Sequence, residues 1–157
     1  MQSKVSYKRL SQVDPDVILS LEKASFETHS AWNLRMIEES AQTSSTKFFC
    51  ACFEQQPIGY CVISDLDGEY ELLRICVSKE YRRLGVAYGL IKFILNFINQ
   101  NLSAGVCEPF MMLEVSETNY SAQKLYEKCG FKPIATRKNY YFEAGEYKDA
   151  IIMKLFL

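Results

Sequence analysis

The sequence predicts an α+β fold, one mixed central sheet flanked by helices in the order β-α-α-β-β-β-α-β-α-β-β. Three observations carry that prediction. Residues 47–53 and 58–64 are rich in aromatic and β-branched side chains and are separated by a short polar stretch, as in a hairpin. From Gly85 to Gln100 the apolar period becomes helical, with Val86, Leu90, Ile94 and Ile98 on a broad face that has to be buried against a sheet. A shorter helical stretch then stops at Cys129-Gly130-Phe131, with glycine where a left-handed residue is wanted, and two β-rich runs follow. A hydrophobic fraction of 48% and a mean hydropathy of −0.10 suit a single domain over residues 1–157 with one core.

Taken in order, residues 5–10 alternate weakly and read as a first strand. Asp14-Pro15 is an N-cap followed by proline at the first helical position, and residues 15–26 form a helix with Val17, Ile18, Leu21 and Ala24 on one face. A second amphipathic helix, carrying Trp32, Leu34, Met36, Ile37 and Ala41, starts near Ser30 and ends in a polar loop at residues 43–46. Strands at 47–53 and 58–64 are joined by Glu54-Gln55-Gln56-Pro57, and the turn Asp65-Leu66-Asp67-Gly68 leads into a strand at 70–77. After the helix at 85–100 come a short apolar strand at 110–115 and a helix at 119–128. Runs 132–142 and 150–156 form a final antiparallel pair joined through residues 143–149. No repeat or interdomain linker interrupts this series.

Composition narrows the function classes. Eighteen basic against nineteen acidic side chains leave a net charge of −1, which argues against the broad cationic face of a nucleic-acid binder, so any anion site is local. Apolar runs such as 91–98 are broken by Lys92 and Asn96, far short of the roughly 20 residues that span a bilayer. Residues 1–5 lack the apolar run of a secretory signal, and the expected compartment is the cytoplasm. Cys50, Cys52, Cys61, Cys76, Cys107 and Cys129 contain no C-x-x-C pair and read as free thiols, most of them in apolar runs. His29 is the single histidine with no second ligand beside it, so no metal is expected. Oligomeric state is left open.

The chemistry concentrates after the third strand of the meander. Residues 77–87 run from a strand end into the start of a long helix, where unpaired amides and the helix dipole favour an anion. Gly85 permits close approach of the backbone, Ala87 keeps the neighbouring position small, and Arg82 and Arg83 add fork-shaped cationic donors. A Walker loop would need Gly-Lys-Ser/Thr, and a dinucleotide fingerprint would need G-x-G-x-x-G after a first strand; neither is present. As it stands, Arg82-Arg83-Leu84-Gly85-Val86-Ala87 resembles the Arg/Gln-x-x-Gly-x-Gly/Ala signature of the GNAT N-acetyltransferases, whose loop holds the pyrophosphate of coenzyme A. That resemblance implies a GNAT-like sheet and acetyl-CoA as co-substrate. The strand end Ile75, Cys76 and Val77 and the loop residues Arg82, Arg83, Leu84, Gly85, Val86 and Ala87 would be its binding residues.

Two further segments extend the likeness. Leu113-Glu114-Val115-Ser116-Glu117-Thr118-Asn119, with Leu125-Tyr126 and Gly130-Phe131 downstream, resembles the GNAT pattern L-E-V-x-x-x-N…L-Y-x-x-x-G-F. The match is closer to the RimI-type enzymes, which acetylate the N-terminal alanine of a ribosomal protein, and continues through residues 137–141 and 149–153. It implies that Asn119 lines the acyl-carrying arm and that Tyr126 lies near the thioester sulfur. It also implies a protein N-terminus as acceptor and partner.

An α-amine of pKa about 7.7 to 8.0 is mostly protonated at pH 7, so a general base is useful. Glu114 is placed to serve as that base, directly or through one water, and Tyr126 as the acid for the departing thiolate. A backbone amide near Val77 would meet the oxyanion, and no covalent enzyme intermediate is needed. Trp32, Arg74, Tyr140 and Tyr141 are the expected acceptor-binding residues, with Arg74 pairing with a peptide carboxylate or with Glu71 if it enters the groove. His29-Ser30-Ala31-Trp32 keeps the tryptophan of the RimI-type groove and lacks its proline. A small amine or a lysine side chain as acceptor, and a CoA-binding module without turnover, are the competing readings.

Overall fold

The computed structural model describes residues 4–26 and 30–157. Seven strands, β1 Ser6–Leu10, β2 Thr46–Phe53, β3 Gln56–Asp65, β4 Glu69–Val77, β5 Phe110–Ser116, β6 Lys132–Glu143 and β7 Glu146–Phe156, form one sheet in the order β1-β2-β3-β4-β5-β7-β6. Every neighbouring pair is antiparallel except β4 and β5. The helices are α1 Pro15–Ser25, α2 Leu34–Gln42, α3 Val86–Asn101 and α4 Tyr120–Lys128, so the element order matches the one expected. None of the described helices is long and apolar enough to cross a membrane.

Two apolar clusters lie on the two faces of the sheet. On one face α3 buries Leu90, Ile91, Ile94 and Ile98 against Phe49, Cys61, Ile63 and Met111, and α4 adds Tyr126. Burial of each such aliphatic chain is worth about 1.5–3 kcal/mol, which is what fixes the direction of α3. On the other face Ile18 and Leu21 of α1 and Ile37 of α2 cover Phe48, Tyr60, Val62 and Cys76.

Three boundaries differ from the expected ones, each for a local reason. Helix α2 starts at Leu34 because Asn33 is its N-cap, its Oδ1 accepting from the Met36 amide at 2.9 Å. The β2–β3 connection tightens to Glu54 and Gln55, both at positive φ, so that Phe53 pairs with Gln56. The last hairpin likewise turns on Ala144 and Gly145, and β7 begins at Glu146 instead of near residue 150.

One irregularity creates the site. The parallel ladder joins β4 to β5 only at Glu69, Tyr70 and Glu71 opposite Phe110, Met111 and Met112. Beyond it β4 runs on to Val77 and β5 to Ser116 without pairing to each other. At that point Leu73 is an extra residue on β4, since Val62 pairs with Arg74 and Ile63 with Leu72. A bulge of this kind bends and twists its strand, and the two strands part.

Candidate active site

Where β4 and β5 separate, a cavity of about 790 Å³ opens between the end of β4, the loop into α3, and α4. Its β4 wall offers unpaired backbone. The Ser78 amide donates to the Ile58 carbonyl at 2.9 Å, which fixes the alternation of the strand. Cys76, opposite Tyr60, therefore turns its main-chain groups toward β3, and Ile75 and Val77 turn theirs toward the gap. All three line the cavity, as expected of acyl-CoA contacts.

The loop that follows is shaped for an anion. A single 3₁₀ turn, Lys79–Tyr81, leads to Arg83 at φ 61° and Gly85 at φ 80°, and Gly85 is the N-cap of α3 with no side-chain cap. The first-turn amides of Val86 and Ala87 thus have no partner from a capping side chain, and both residues line the cavity. A Cβ at Gly85 would meet no atom within 4 Å, so the space beside it is open, and Gly85 lines the cavity. Arg83 lines the cavity as well.

Two loop residues, Arg82 and Leu84, stand apart from the others. Arg82 faces the cavity but spends its guanidinium on the chain: Nε donates to the Val77 carbonyl at 3.1 Å and Nη2 to the Ser25 carbonyl. It braces the loop against β4 and α1 through Nε and Nη2. Leu84 is 71% exposed and its side chain lies outside the cavity wall, so any contact with a ligand there is a main-chain one.

The pair read as acid and base comes to the same gap from opposite faces. Met111, Leu113 and Val115 of β5 point into the core under α3 and α4, so alternation turns Glu114 to the face that carries α1 and α2. There its Oε1 lies 3.1 Å from Arg137 Nη2 of β6, with the Glu114 side chain 18% exposed. Tyr126 sits on the other face, in edge contact with Phe131 at 6.1 Å, and lines the cavity. Burial pushes its hydroxyl well above the usual tyrosine range. Tyr141 connects the two: it interacts electrostatically with both Glu114 and Tyr126, and burial first, then Glu114, raises its hydroxyl to about 12. Burial, and next the charge of Glu114, also raise the carboxyl of Glu71, against the opposing effect of Arg137.

Asn119 caps α4, its Oδ1 accepting from the Ala122 amide at 3.3 Å, and lines the cavity. Oδ1 being committed to the cap, Nδ2 is the donor it can offer a ligand. Tyr140 and Tyr141 are in edge contact at 5.0 Å, and the Arg137 guanidinium stacks 4.7 Å from the Tyr140 ring. They are thrown out by an irregularity in β6, where the pairing jumps from Arg137–Ala150 to Tyr141–Lys148 and Asn139 takes φ 51°.

Arg74 corrects the expected pairing. Its partner is Glu22 of α1, not Glu71 or a peptide carboxylate: Nε and Nη2 meet the two Glu22 oxygens at 2.9 and 2.6 Å. Trp32 joins the same group through its amide, which donates to Glu22 at 2.9 Å, and through its ring, 5.5 Å from the guanidinium. Sequence reasoning missed Glu22, yet a signal existed, since Ile18, Leu21, Glu22 and Ser25 form the buried stripe of α1 and a carboxylate there needs a partner. Arg137 was also missed as the partner of Glu114, because that contact joins β5 to β6 across the intervening β7. His29, considered above as a metal ligand, lies outside the described residues.

Known proteins agree with this geometry. The family pattern of the acetyltransferase (GNAT) family matches residues 16–131. A ribosomal protein bS18-alanine N-acetyltransferase of Haemophilus ducreyi is 35% identical over 101 residues, which is 64% of this chain and 66% of that protein. The crystal structure of the ribosomal-protein-S18-alanine N-acetyltransferase from Escherichia coli superposes with a TM-score of 0.86 at 24% identity, covering 98% of this chain and 94% of that one. Arabidopsis thaliana NAA60 in complex with acetyl-CoA gives a TM-score of 0.82 at 14% identity, covering 98% of this chain and 99% of that one. These two likenesses establish the fold. With the family pattern spanning three-quarters of its residues, the chain belongs to the GNAT family of acetyl-CoA-dependent N-acetyltransferases.

Proposed function

We propose that this enzyme transfers the acetyl group of acetyl-CoA to the N-terminal α-amine of a protein, with Glu114 as general base and Tyr126 as general acid. The observation that carries this reading is that Tyr126 lines the cavity behind the glycine loop, while Glu114 stands on the part of β5 that has left β4 and Tyr141 interacts electrostatically with both. The curated name of the Haemophilus ducreyi relative supports the choice of a protein N-terminus, and of a ribosomal-protein alanine in particular.

In this mechanism the amides of Val86 and Ala87 and the cation of Arg83 hold the diphosphate at the start of α3. When bound, acetyl-CoA supplies an activated acyl carbon on a thiol leaving group. Ile75 aligns that arm through its main-chain groups, and the Val77 amide, whose carbonyl is taken by Arg82, is the donor available to the carbonyl oxygen as it gains charge. Glu114 takes the amine proton from the face that carries α1 and α2. Tyr126, kept protonated by burial, gives its proton to the thiolate on the opposite face as the C–S bond breaks.

The test is a panel of peptides in matched pairs, one with a free and one with a blocked α-amine, each containing an internal lysine. Thiol release from acetyl-CoA with the free peptides, and an acetyl group placed on the α-nitrogen by mass spectrometry, is the expected result. Equal turnover of blocked peptides, or modification of lysine alone, would replace this acceptor by an ε-amine; thiol release with no amine at all would remove the transfer.

A further inference from the structure

Glu22 and Arg74 form a network that the transfer chemistry does not use. Glu22 is fully buried, and both of its oxygens are taken twice: Oε1 by Arg74 Nε at 2.9 Å and by the Tyr60 hydroxyl, Oε2 by Arg74 Nη2 at 2.6 Å and by the Trp32 amide at 2.9 Å. Arg74 Nη2 also donates to the Ser30 carbonyl at 2.9 Å, and its guanidinium carbon lies 4.1 Å from the centre of the Phe26 ring. Tyr60 and Arg74 stand on the central strands β3 and β4, whereas Phe26, Ser30 and Trp32 belong to the connection between α1 and α2. Phe26 and Ser30 line the acyl-CoA cavity, and Arg74 is one of the groups that act electrostatically on Tyr141.

A buried ion pair is a poor device for stability alone, since apolar side chains of similar volume commonly serve as well or better. What the fork-to-carboxylate geometry supplies is direction, because two parallel bonds fix the orientation of both groups. We propose that Glu22 and Arg74 are positioning residues that hold Phe26, Ser30 and Trp32 as one wall of the acceptor groove. Arg74 thereby spends Nε and Nη2 on the chain, and the carboxylate of Glu22 balances its charge. The inference rests on the transfer reaction proposed above, and one of its readouts needs no turnover.

Three variants test it: Arg74→Leu, Arg74→Lys, and Glu22→Leu combined with Arg74→Leu. The double variant removes both charges but leaves the Tyr60 hydroxyl and the Trp32 amide without their acceptor, so it is expected to melt several degrees below the wild type while still folding, with kcat changed less than about threefold and the KM for peptide raised roughly tenfold or more. A double variant with wild-type KM would show that the pair serves folding alone and would overturn the proposal. Arg74→Lys keeps the charge without the fork and should recover only part of the peptide KM; full recovery would overturn the directional role. Independently of turnover, hydrogen exchange at the Trp32 amide should quicken roughly tenfold in Arg74→Leu, because its acceptor Glu22 is no longer held. Unchanged exchange there contradicts the lock even if no acceptor is ever found, whereas a wild-type enzyme inert toward every amine removes the reaction and leaves the exchange result standing.

Discussion

In the proposed mechanism Glu114 and Tyr126 divide the proton chemistry by their surroundings: one carboxylate beside an arginine on the α1–α2 face, one phenol packed into the α3–α4 core. Replacing the base, Glu114→Gln should lower kcat/KM about 10²- to 10⁴-fold while acetyl-CoA affinity stays near normal. The deficit should be largest at low pH, where most of the amine arrives protonated. An unchanged rate in steady-state assays from pH 6 to 9 would remove Glu114 as base. Tyr126→Phe should cut kcat by a factor in the same range with little change in acetyl-CoA binding.

The sign of the pH profile follows from the direction in which burial moves Tyr126. Its hydroxyl is raised, so the acid stays protonated beyond the ordinary tyrosine range near 10. For the wild type, kcat/KM should climb as the α-amine loses its proton around pH 7.7–8.0 and then level off, with no descending limb below about pH 10. A fall between pH 8 and 9 would contradict the assignment of Tyr126 as acid. At this scale the motif named Glu114, Asn119 and Tyr126; Asn119 and Tyr126 line the cavity, and Glu114 stands on β5 beyond its last pair with β4. What was not legible were the partners. Arg82 ends on the Ser25 carbonyl, Arg74 on Glu22 and Arg137 on Glu114, and each contact depends on where distant elements pack.

Among the elements, the loop into α3 carries the binding argument. Gly85 combines φ 80° with open space beside it, so a side chain there meets two penalties, one from the backbone and one from the ligand it displaces. A left-handed backbone costs an L-residue roughly 1–2 kcal/mol, and more for a β-branched one. Gly85→Val should therefore weaken acetyl-CoA binding by about tenfold or more in calorimetry, and unaltered affinity would count against the pyrophosphate assignment. Helix ends and strand runs were readable because Asp14-Pro15 and Cys129-Gly130-Phe131 are local signals. The irregularities were not. The extra Leu73 in β4 and the break after Arg137 in β6 depend on pairing with a neighbouring strand, and nothing in either segment alone requires them.

For the whole molecule, function follows from a sheet that is continuous at one end and parted at the other. Three parallel pairs at residues 69–71 hold the halves together, and the antiparallel strands on either side, β3 against β4 and β7 against β5, keep the parted ends from collapsing. The order of elements along the chain was legible in the sequence. The insertion of β7 between β5 and β6 was not, because it is a choice of neighbours made by the assembled sheet.

The central claim is that the two halves of the reaction meet in this gap, the acyl donor from the α3–α4 side and an α-amine from the α1–α2 side. The most direct measurement is the calorimetric affinity of a conjugate joining coenzyme A to the α-nitrogen of a peptide, against acetyl-CoA alone and against a conjugate joined through a lysine side chain. The account predicts that the α-linked conjugate binds roughly 100-fold more tightly than either, as effective concentration requires when both parts are seated at once. An α-linked conjugate that binds no better than acetyl-CoA would contradict it.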